Sequence, residues 1–247
     1  YAAIFRMLDG YEAMDQLYIK LGMYAGEDLR DIIFEDMPLP PLGLSRQEKS
    51  RYTYRLINRM ETIFEESTTR EILKDCLRIL PDALYEADKK IITAWQGEID
   101  QFIQQKGRRF IENLEGHRDR GELFFGQEID EAVIDFVKSN PQIGQGQRKG
   151  RVVIETKIPY NTKAYLSETD LEKKRYHYCH CPWARESLRN RNFTVSSTFC
   201  QCSAGFHKKP YEVIFDQPIQ AEVLQSVLNG DPVCQFAINL PENLEVK

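Results

Sequence analysis

The chain has 247 residues and a formal net charge of −5 at pH 7, and its length fits one large domain or two modest ones. The acidic balance argues against general nucleic-acid binding, because such a protein needs a basic face to neutralise phosphates. No apolar run approaches the ~18 residues that a membrane span requires, and no signal peptide is visible. The sequence therefore predicts a protein with neither membrane nor nucleic-acid partners.

The first part of the sequence, residues 1–145, has the features of a mainly helical portion. Ser45 and Glu48 form a capping box, in which each side chain satisfies the free backbone N–H of the other residue. Thr68 with Glu71 gives a second start signal of the same kind. Apolar residues recur at helical spacing in three stretches: Tyr52, Leu56, Met60 and Ile63; Ile99, Phe102, Ile103, Phe110 and Leu114; and Ile129, Val133, Phe136 and Val137. Each stretch predicts a helix.

Strand signals appear in the second part, residues 146–247. Residues 151–158 alternate in the period of two that is typical of a strand, and residues 175–181 are a second candidate strand. Pro182 can begin a short helix, because proline is tolerated in the first turn. Residues 204–215 are a further helix candidate that Pro210 must start or kink.

The end of the chain predicts a β-hairpin. Residues 219–228 are strand-like, and Asn229-Gly230 supplies residues that tolerate positive φ in a tight turn. Alternate residues of the returning strand would share one face: Cys234, Phe236, Ile238 and Leu240. The predicted fold class is therefore α+β, with a helical N-terminal portion followed by a C-terminal antiparallel sheet with packed helices.

The sequence contains six cysteines: Cys76, Cys179, Cys181, Cys200, Cys202 and Cys234. An even number can indicate a disulfide framework, but this chain is much longer than the small secreted scaffolds that need one. Four of the six also form two Cys-x-Cys pairs, a spacing that suits shared ligation. We therefore interpret them as reduced thiols in a cytoplasmic protein.

The C-terminal cysteines are the candidate functional site. Residues i and i+2 of a strand point to the same face, so Cys179 would project with Cys181, and Cys200 with Cys202, if their segments are extended. Together with Cys234 they form a candidate metal site of up to five thiols. Thiolates beside imidazole favour zinc, with an iron–sulfur cluster as the second choice. Plain hydrophobic packing of neutral cysteines and a catalytic or redox thiol remain open alternatives.

Histidine, aromatic and acidic residues add weaker candidates. His177 and His180 flank the first cysteine pair, and His207 could line a pocket. The candidate aromatic wall of a ligand site is Trp183 with Phe206. Glu155 and Glu222 fall on predicted strands, where an exposed carboxylate is the commoner case; each could also act as acid, base or ligand. The glycines at 144, 146 and 150 precede a strand, so a mobile loop is a better interpretation than a phosphate loop.

Several C-terminal motifs resemble the end of the 4-vinyl reductase-type domain, over roughly residues 150–240. These motifs are Cys200, Ser203-Ala204-Gly205-Phe206, Glu222-Val223, Gly230-Asp231 and Cys234-Gln235-Phe236. The resemblance implies a small-molecule-binding α+β fold that is commonly dimeric. The superfamily includes the input domains of bacterial activators that sense aromatic compounds.

In those aromatic sensors, zinc is held by an early cysteine, a glutamate, a cysteine three residues later and a final cysteine. Cys200 and Cys234 match the first and the last of these ligands. The middle cysteine is Ser226 here, and Glu222 is one residue out of step. On this resemblance, Cys179, Cys181 or Cys202 would have to replace the missing ligands.

The whole chain also resembles an uncharacterised bacterial cysteine-rich family. The motifs that carry this resemblance are Lys157-Ile158-Pro159-Tyr160, Lys174-Arg175-Tyr176, Cys179-His180-Cys181-Pro182-Trp183 and Lys209-Pro210-Tyr211-Glu212-Val213-Ile214-Phe215. A related branch resembles L-2-aminothiazoline-4-carboxylate hydrolases, which implies a thiol or an activated water that attacks a C=N carbon. The catalytic candidates are then Cys179 or Cys181, with His180, His177 or His207 as the base.

Three functional hypotheses follow. The leading one is a small-molecule- or metal-binding protein whose site is built from the C-terminal cysteines. The alternative is a cysteine-dependent hydrolase of a small cyclic substrate, and the third is a regulatory protein without enzymatic activity. The wide apolar stripes of the helices between Ser45 and Leu114, with the dimeric character of the superfamily, also predict a homodimer formed mainly by the helical half.

Overall fold

The computed structural model describes residues 10–76, 81–94 and 98–242. Within these ranges the chain forms ten α-helices: α1 Tyr11–Ala25, α2 Glu27–Phe34, α3 Arg46–Ile63, α4 Glu66–Lys74, α5 Glu86–Ala94, α6 Ile99–Arg120, α7 Glu131–Lys138, α8 Thr162–Ser167, α9 Leu171–Tyr178 and α10 Gln201–Phe215. In the same ranges, none of the helices combines the length and the apolarity needed to cross a membrane.

Four strands form one antiparallel sheet: β1 Gln147–Lys149, β2 Val152–Thr156, β3 Ala221–Gln225 and β4 Gln235–Asn239. Their order across the sheet is β1-β2-β4-β3. The strand predicted over residues 151–158 is confirmed as β2, whereas β1 lies inside the segment predicted as a loop. Short 3₁₀ helices occupy Asp82–Leu84, Arg185–Arg189, Ser197–Cys200 and Val227–Asn229. The predicted α+β class, with mostly N-terminal helices and a C-terminal antiparallel sheet, is confirmed.

Local capping signals explain where several helices begin. The capping box predicted at Ser45 and Glu48 is present, with both reciprocal hydrogen bonds at the start of α3. Asp130 caps α7 by accepting from the backbone N–H of Val133. The start predicted at Thr68 is wrong, because α4 already begins at Glu66.

Two predictions in the C-terminal part need correction. Residues 175–181 do not form a strand: α9 extends to Tyr178, and the side chain of Asp170 caps its first turn by accepting from Lys173 N. The helix predicted over residues 204–215 is α10, which begins earlier, at Gln201, and continues through Pro210. The Asp170 N-cap is a local signal for α9.

The predicted C-terminal hairpin exists, but its connection is different. β3 and β4 pair antiparallel, with Ala221 opposite Ile238 and Val223 opposite Phe236. A 3₁₀ turn and Gly230, at a φ of 93°, join them in place of the predicted two-residue turn. The longer connection leaves Cys234 just before β4.

Two buried clusters make up most of the core. The first joins α1, α3 and α4 to the segment between Trp183 and Cys202, so it combines residues of both parts of the sequence. The second covers one face of the sheet, where Val153, Phe236 and Ile238 contact apolar residues of α5, α6 and α10. Helix α10 contributes to both clusters, which places its side chains between the helical layer and the sheet.

Candidate functional site

The predicted cysteines lie on five different pieces of local structure. Cys179 follows the last residue of α9, and Cys181 lies in the turn after it. Cys200 ends a 3₁₀ helix, Cys202 is in the first turn of α10, and Cys234 precedes β4. The same-face geometry predicted for the two Cys-x-Cys pairs is wrong, because neither pair is on a strand.

The chain nevertheless gathers these thiols in one region. Cys181 borders two buried clusters: one contains Cys76, Cys200 and Cys202, and the other contains Cys179 and Cys234. All six are free thiols, and Cys200 Sγ lies 3.0 Å from Ser226 Oγ. Cys76, two residues after the end of α4, was not in the predicted set; it reaches the cluster because α4 packs against α10.

Burial keeps the thiols protonated. Removal from water disfavours the thiolate, and it raises the pKa of Cys202 to about 12 and the pKa of Cys179 still further. The pKa values of Cys181 and Cys234 are raised for the same reason, although Lys157 opposes the effect at both. In this structure the cysteines are neutral, weakly polar lining groups.

The zinc prediction requires a specific arrangement of ligand atoms. A structural zinc needs four ligand atoms at about 2.0–2.3 Å from one point. In the three described ranges, no group of three or more His, Cys, Asp or Glu side chains is arranged to hold a metal ion. The five-thiol zinc site and its iron–sulfur alternative stay predictions.

Lys157, directly after β2, is a half-buried residue whose cation pairs with no anion in the described part of the chain. Its ammonium donates to Ser203 Oγ at 3.2 Å and lies 5.8 Å from the centre of the Phe206 ring and 5.7 Å from that of Phe236. Among the described residues no carboxylate lies within ion-pair distance of it. Such a group favours an anionic partner, because burial of an unpaired charge is costly.

Arg185 is a second cation of this kind. Its side chain is buried, with 3% of the residue exposed, between the rings of Tyr160 at 4.1 Å and Tyr176 at 5.3 Å. One terminal nitrogen donates to Cys179 O at the long distance of 3.5 Å, and Nε has no hydrogen-bond partner in the described part of the chain. No described carboxylate pairs with Arg185 either.

Glu155, two residues before Lys157, forms its ion pair and hydrogen bonds with other residues. Its carboxylate is buried on the helix-covered face of β2, where it pairs with Lys106 of α6 and accepts from Tyr211 Oη at 2.8 Å and from His207. Burial raises the pKa of this carboxyl, but Lys106 and His207 outweigh it and hold the pKa well below the usual range. The carboxylate is therefore ionised and fully engaged, and the expectation of an exposed Glu155 is wrong.

His207, on α10, is held by Glu155. Its Nδ1 lies 2.6 Å from Glu155 Oε2, and its ring stacks on Phe236 with 4.4 Å between the ring centres. Nε2 is buried and has no partner among the described groups. Burial lowers the pKa of His207, and Lys157 and Lys106 lower it further against the opposing effect of Glu155. The imidazole is neutral at physiological pH.

The charges of Lys157 and Arg185 both act on His180. Its Nε2 is 2.6 Å from Ile158 O and donates to that carbonyl, while the ring makes an edge contact with Tyr160. Burial, followed by the charge of Lys157 and then that of Arg185, lowers its pKa to about 3. A neutral imidazole is thus held where the fields of both cations meet.

The remaining candidates lie in different surroundings. Trp183 is in the first core, 1% exposed, and its Nε1 donates to Gly10 O at 2.8 Å. Phe206 is half-buried beside Lys157, as an aromatic wall would be. Glu222 is exposed on β3, and His177 is half-buried beside Tyr176.

Sequence reasoning gave no role to four residues of this region: Lys106, Lys157, Arg185 and Tyr211. For two of them the partner lies far away along the chain, at a separation of 49 residues for Lys106–Glu155 and 56 for Tyr211–Glu155. One signal was available: Val153, Glu155 and Lys157 share a face of the strand, so an apolar, an acidic and a basic residue all point to the same side. Mixed polarity on a buried strand face indicates a polar site.

Comparison with known proteins gives one match to a family model and no activity. Residues 155–245 match the model of a family of unknown function (DUF6144), a segment that contains Glu155, Lys157, Arg185, His207 and the five C-terminal cysteines. Neither a curated protein nor a solved structure matches the chain. The resemblance to 4-vinyl reductase-type domains and to thiazoline hydrolases stays a prediction.

Proposed function

We propose that the protein binds a small anionic molecule, of the carboxylate class, at the cysteine-lined region around Lys157. The observation that carries the proposal is the half-buried ammonium of Lys157, which has no carboxylate partner among the described residues while the adjacent Glu155 is occupied by three other groups. A charge in such surroundings is stabilised by a paired ion. A bound carboxylate would supply that ion.

Arg185 supports the same location. The charges of Lys157 and Arg185 both act on His180 and on the thiol of Cys181. Two cations whose fields overlap at neutral groups create a positive local potential, and a planar guanidinium suits bidentate contact with a carboxylate. We place the anion between these two cations.

Two carboxylates of this region already have other partners. Glu155 pairs with Lys106, and Glu186 accepts from Tyr176 Oη at 2.7 Å. The cysteines here are protonated thiols and His180 is a neutral imidazole. The proposed ligand would therefore meet neutral thiols, aromatic rings and the positive charges of Lys157 and Arg185, a composition typical of small-molecule sites.

The thiols enter this proposal as lining groups. A thiolate nucleophile, as the hydrolase hypothesis requires, needs a lowered pKa and some exposure. Here burial raises the pKa of Cys179 and Cys181. The anion-binding proposal consequently fits this arrangement better than thiol catalysis does.

The test is a thermal and chemical unfolding series with sodium acetate and inorganic phosphate, each compared with sodium chloride at equal ionic strength. A ligand at ten times its Kd stabilises the folded state by about 1.4 kcal/mol, so we expect acetate to raise the midpoint beyond the chloride control. Lys157→Gln should abolish this gain. Lys149→Gln, at an exposed lysine of β1, is the matched control and should retain it.

The variant is designed to leave the fold intact. The backbone contacts of Lys157, which donates from N to Cys234 O and accepts from Tyr178 Oη, do not involve its side chain. If neither anion stabilises the wild type more than chloride does, or if Lys157→Gln responds as the wild type does, the proposal is wrong.

A further inference from the structure

The contact between Glu155 and His207 determines which ring nitrogen of the neutral imidazole carries the proton. Glu155 is ionised and can only accept hydrogen bonds, so the 2.6 Å contact requires the proton of the neutral ring to be on Nδ1. Tyr211 Oη, which donates to the other carboxylate oxygen at 2.8 Å, and Lys106 fix the orientation of the carboxylate. Nε2 is then a lone-pair acceptor.

That acceptor has no partner among the described groups, although its atom is buried. A buried acceptor without a hydrogen bond costs about 1–3 kcal/mol. In a native structure such a group usually has a ligand or an ordered water as its partner. His207 Nε2 is therefore a second recognition point that the anion-binding proposal does not use.

The two recognition points lie close together. The His207 ring stacks on Phe236 at 4.4 Å, and the ammonium of Lys157 lies 5.7 Å from the centre of the same Phe236 ring. Lys157 and Phe206, its other aromatic contact, border the same turn of α10 as His207. The two groups are near enough for the charge of Lys157 to act on the imidazole, and this proximity is the basis for one ligand that touches both.

From this geometry we infer that the ligand is a small hydroxy carboxylate, whose anionic group faces Lys157 and whose hydroxyl donates to His207 Nε2. The inference rests on the proposed function and deepens it. A neutral donor fits better than an ammonium group, because Lys157 and Lys106 both lie near the imidazole and would repel a second cation. Glu155 acts as a positioning residue that fixes the tautomer of His207.

Glycolate and acetate test the inference, because they differ by one hydroxyl. We would titrate each into protein labelled with ¹⁵N-histidine and follow the His207 resonances by NMR. One additional hydrogen bond contributes about 1 kcal/mol, so glycolate should bind about 5-fold more tightly than acetate and shift the His207 Nε2 resonance. In His207→Asn, whose side-chain amide can still donate to Glu155 but which lacks Nε2, the two affinities should become equal.

The outcomes separate this inference from the function on which it rests. If glycolate and acetate bind the wild type with equal affinity, the inference is overturned and the anion site stands. If neither binds, both are overturned. The nitrogen spectrum of the free wild type gives a readout that needs no variant: Nδ1-protonated His207 supports the inference, and Nε2-protonated His207 overturns it.

Discussion

Gly205 is the position where helix α10 touches the backbone of α4. A Cβ atom added at Gly205 would lie 1.6 Å from Lys74 O and 2.6 Å from Lys74 C. Contacts shorter than 3.0 Å essentially never occur for real Cβ atoms. Because the obstacle is main chain, no side-chain rotation can relieve it. We therefore expect Gly205→Ala to force the two helices apart.

The cost can be estimated from this contact. Ordinary van der Waals distance begins at 3.4 Å, so the helices would have to separate by nearly 2 Å in a close-packed interior. Overpacking of a core costs about 1–3 kcal/mol and sometimes more, whereas alanine gains ~1 kcal/mol over glycine in helix propensity. We expect the free energy of unfolding to fall by about 3 kcal/mol.

Urea unfolding of Gly205→Ala beside Gly116→Ala measures this effect. Gly116 lies in α6, and an added Cβ there meets only the movable guanidinium of Arg120, at 2.9 Å. The same substitution should therefore stabilise the protein at this position, by about 0.5–1 kcal/mol. A Gly205→Ala variant as stable as the wild type would refute the contact between α10 and α4.

Three further predictions concern charge, metal and assembly. Glu155→Gln should cost about 3 kcal/mol at pH 7, because it leaves Lys106 without its partner, and the exposed Glu222→Gln should cost almost nothing. Folding lowers the pKa of the Glu155 carboxyl from 4.5. The stability that this carboxylate contributes is therefore present above pH 4.5 and is lost as the pH falls below it. The urea unfolding curves of the wild type and of Glu155→Gln should accordingly converge on acidification. Elemental analysis of protein purified without chelator decides the zinc prediction: about one zinc per chain supports a structural site, and a metal-free protein excludes it. Met23 and Ile32 are 73% and 54% exposed on α1 and α2. If they belong to the predicted homodimer interface, light scattering should give a mass of twice 28.9 kDa for the wild type, and the mass of a single chain for Met23→Glu.

Elements specified by neighbouring residues could be predicted from the sequence. The capping box at Ser45 fixed the start of α3, and apolar spacing alone located α6 and α7. The strand predicted over residues 175–181 is wrong, because α9 covers most of that segment. The decisive signal was the Asp170 N-cap upstream, which is equally local.

The polar site could not be predicted in the same way. The alternation of β2 correctly put Val153 and Glu155 on one face, but which face is buried depends on helices α6 and α10 from distant parts of the chain. Lys106 and His207 meet Glu155 only after those helices have packed on the sheet. The cysteines stood out because cysteine is a rare residue type, whereas a lysine or arginine without a partner is recognised only in three dimensions.

The close approach at Gly205 also bears on the chemistry of the site. Helix α10 contacts α4 through Gly205 and presents His207 and Tyr211 to β2. The depth at which α10 lies between the two layers therefore sets the distance from His207 Nδ1 to Glu155. A displacement of nearly 2 Å at Gly205 would lengthen a 2.6 Å hydrogen bond beyond its useful range. The imidazole would then be free to place its proton on Nε2, so a glycine that touches no ligand helps to determine which atom of His207 can accept one.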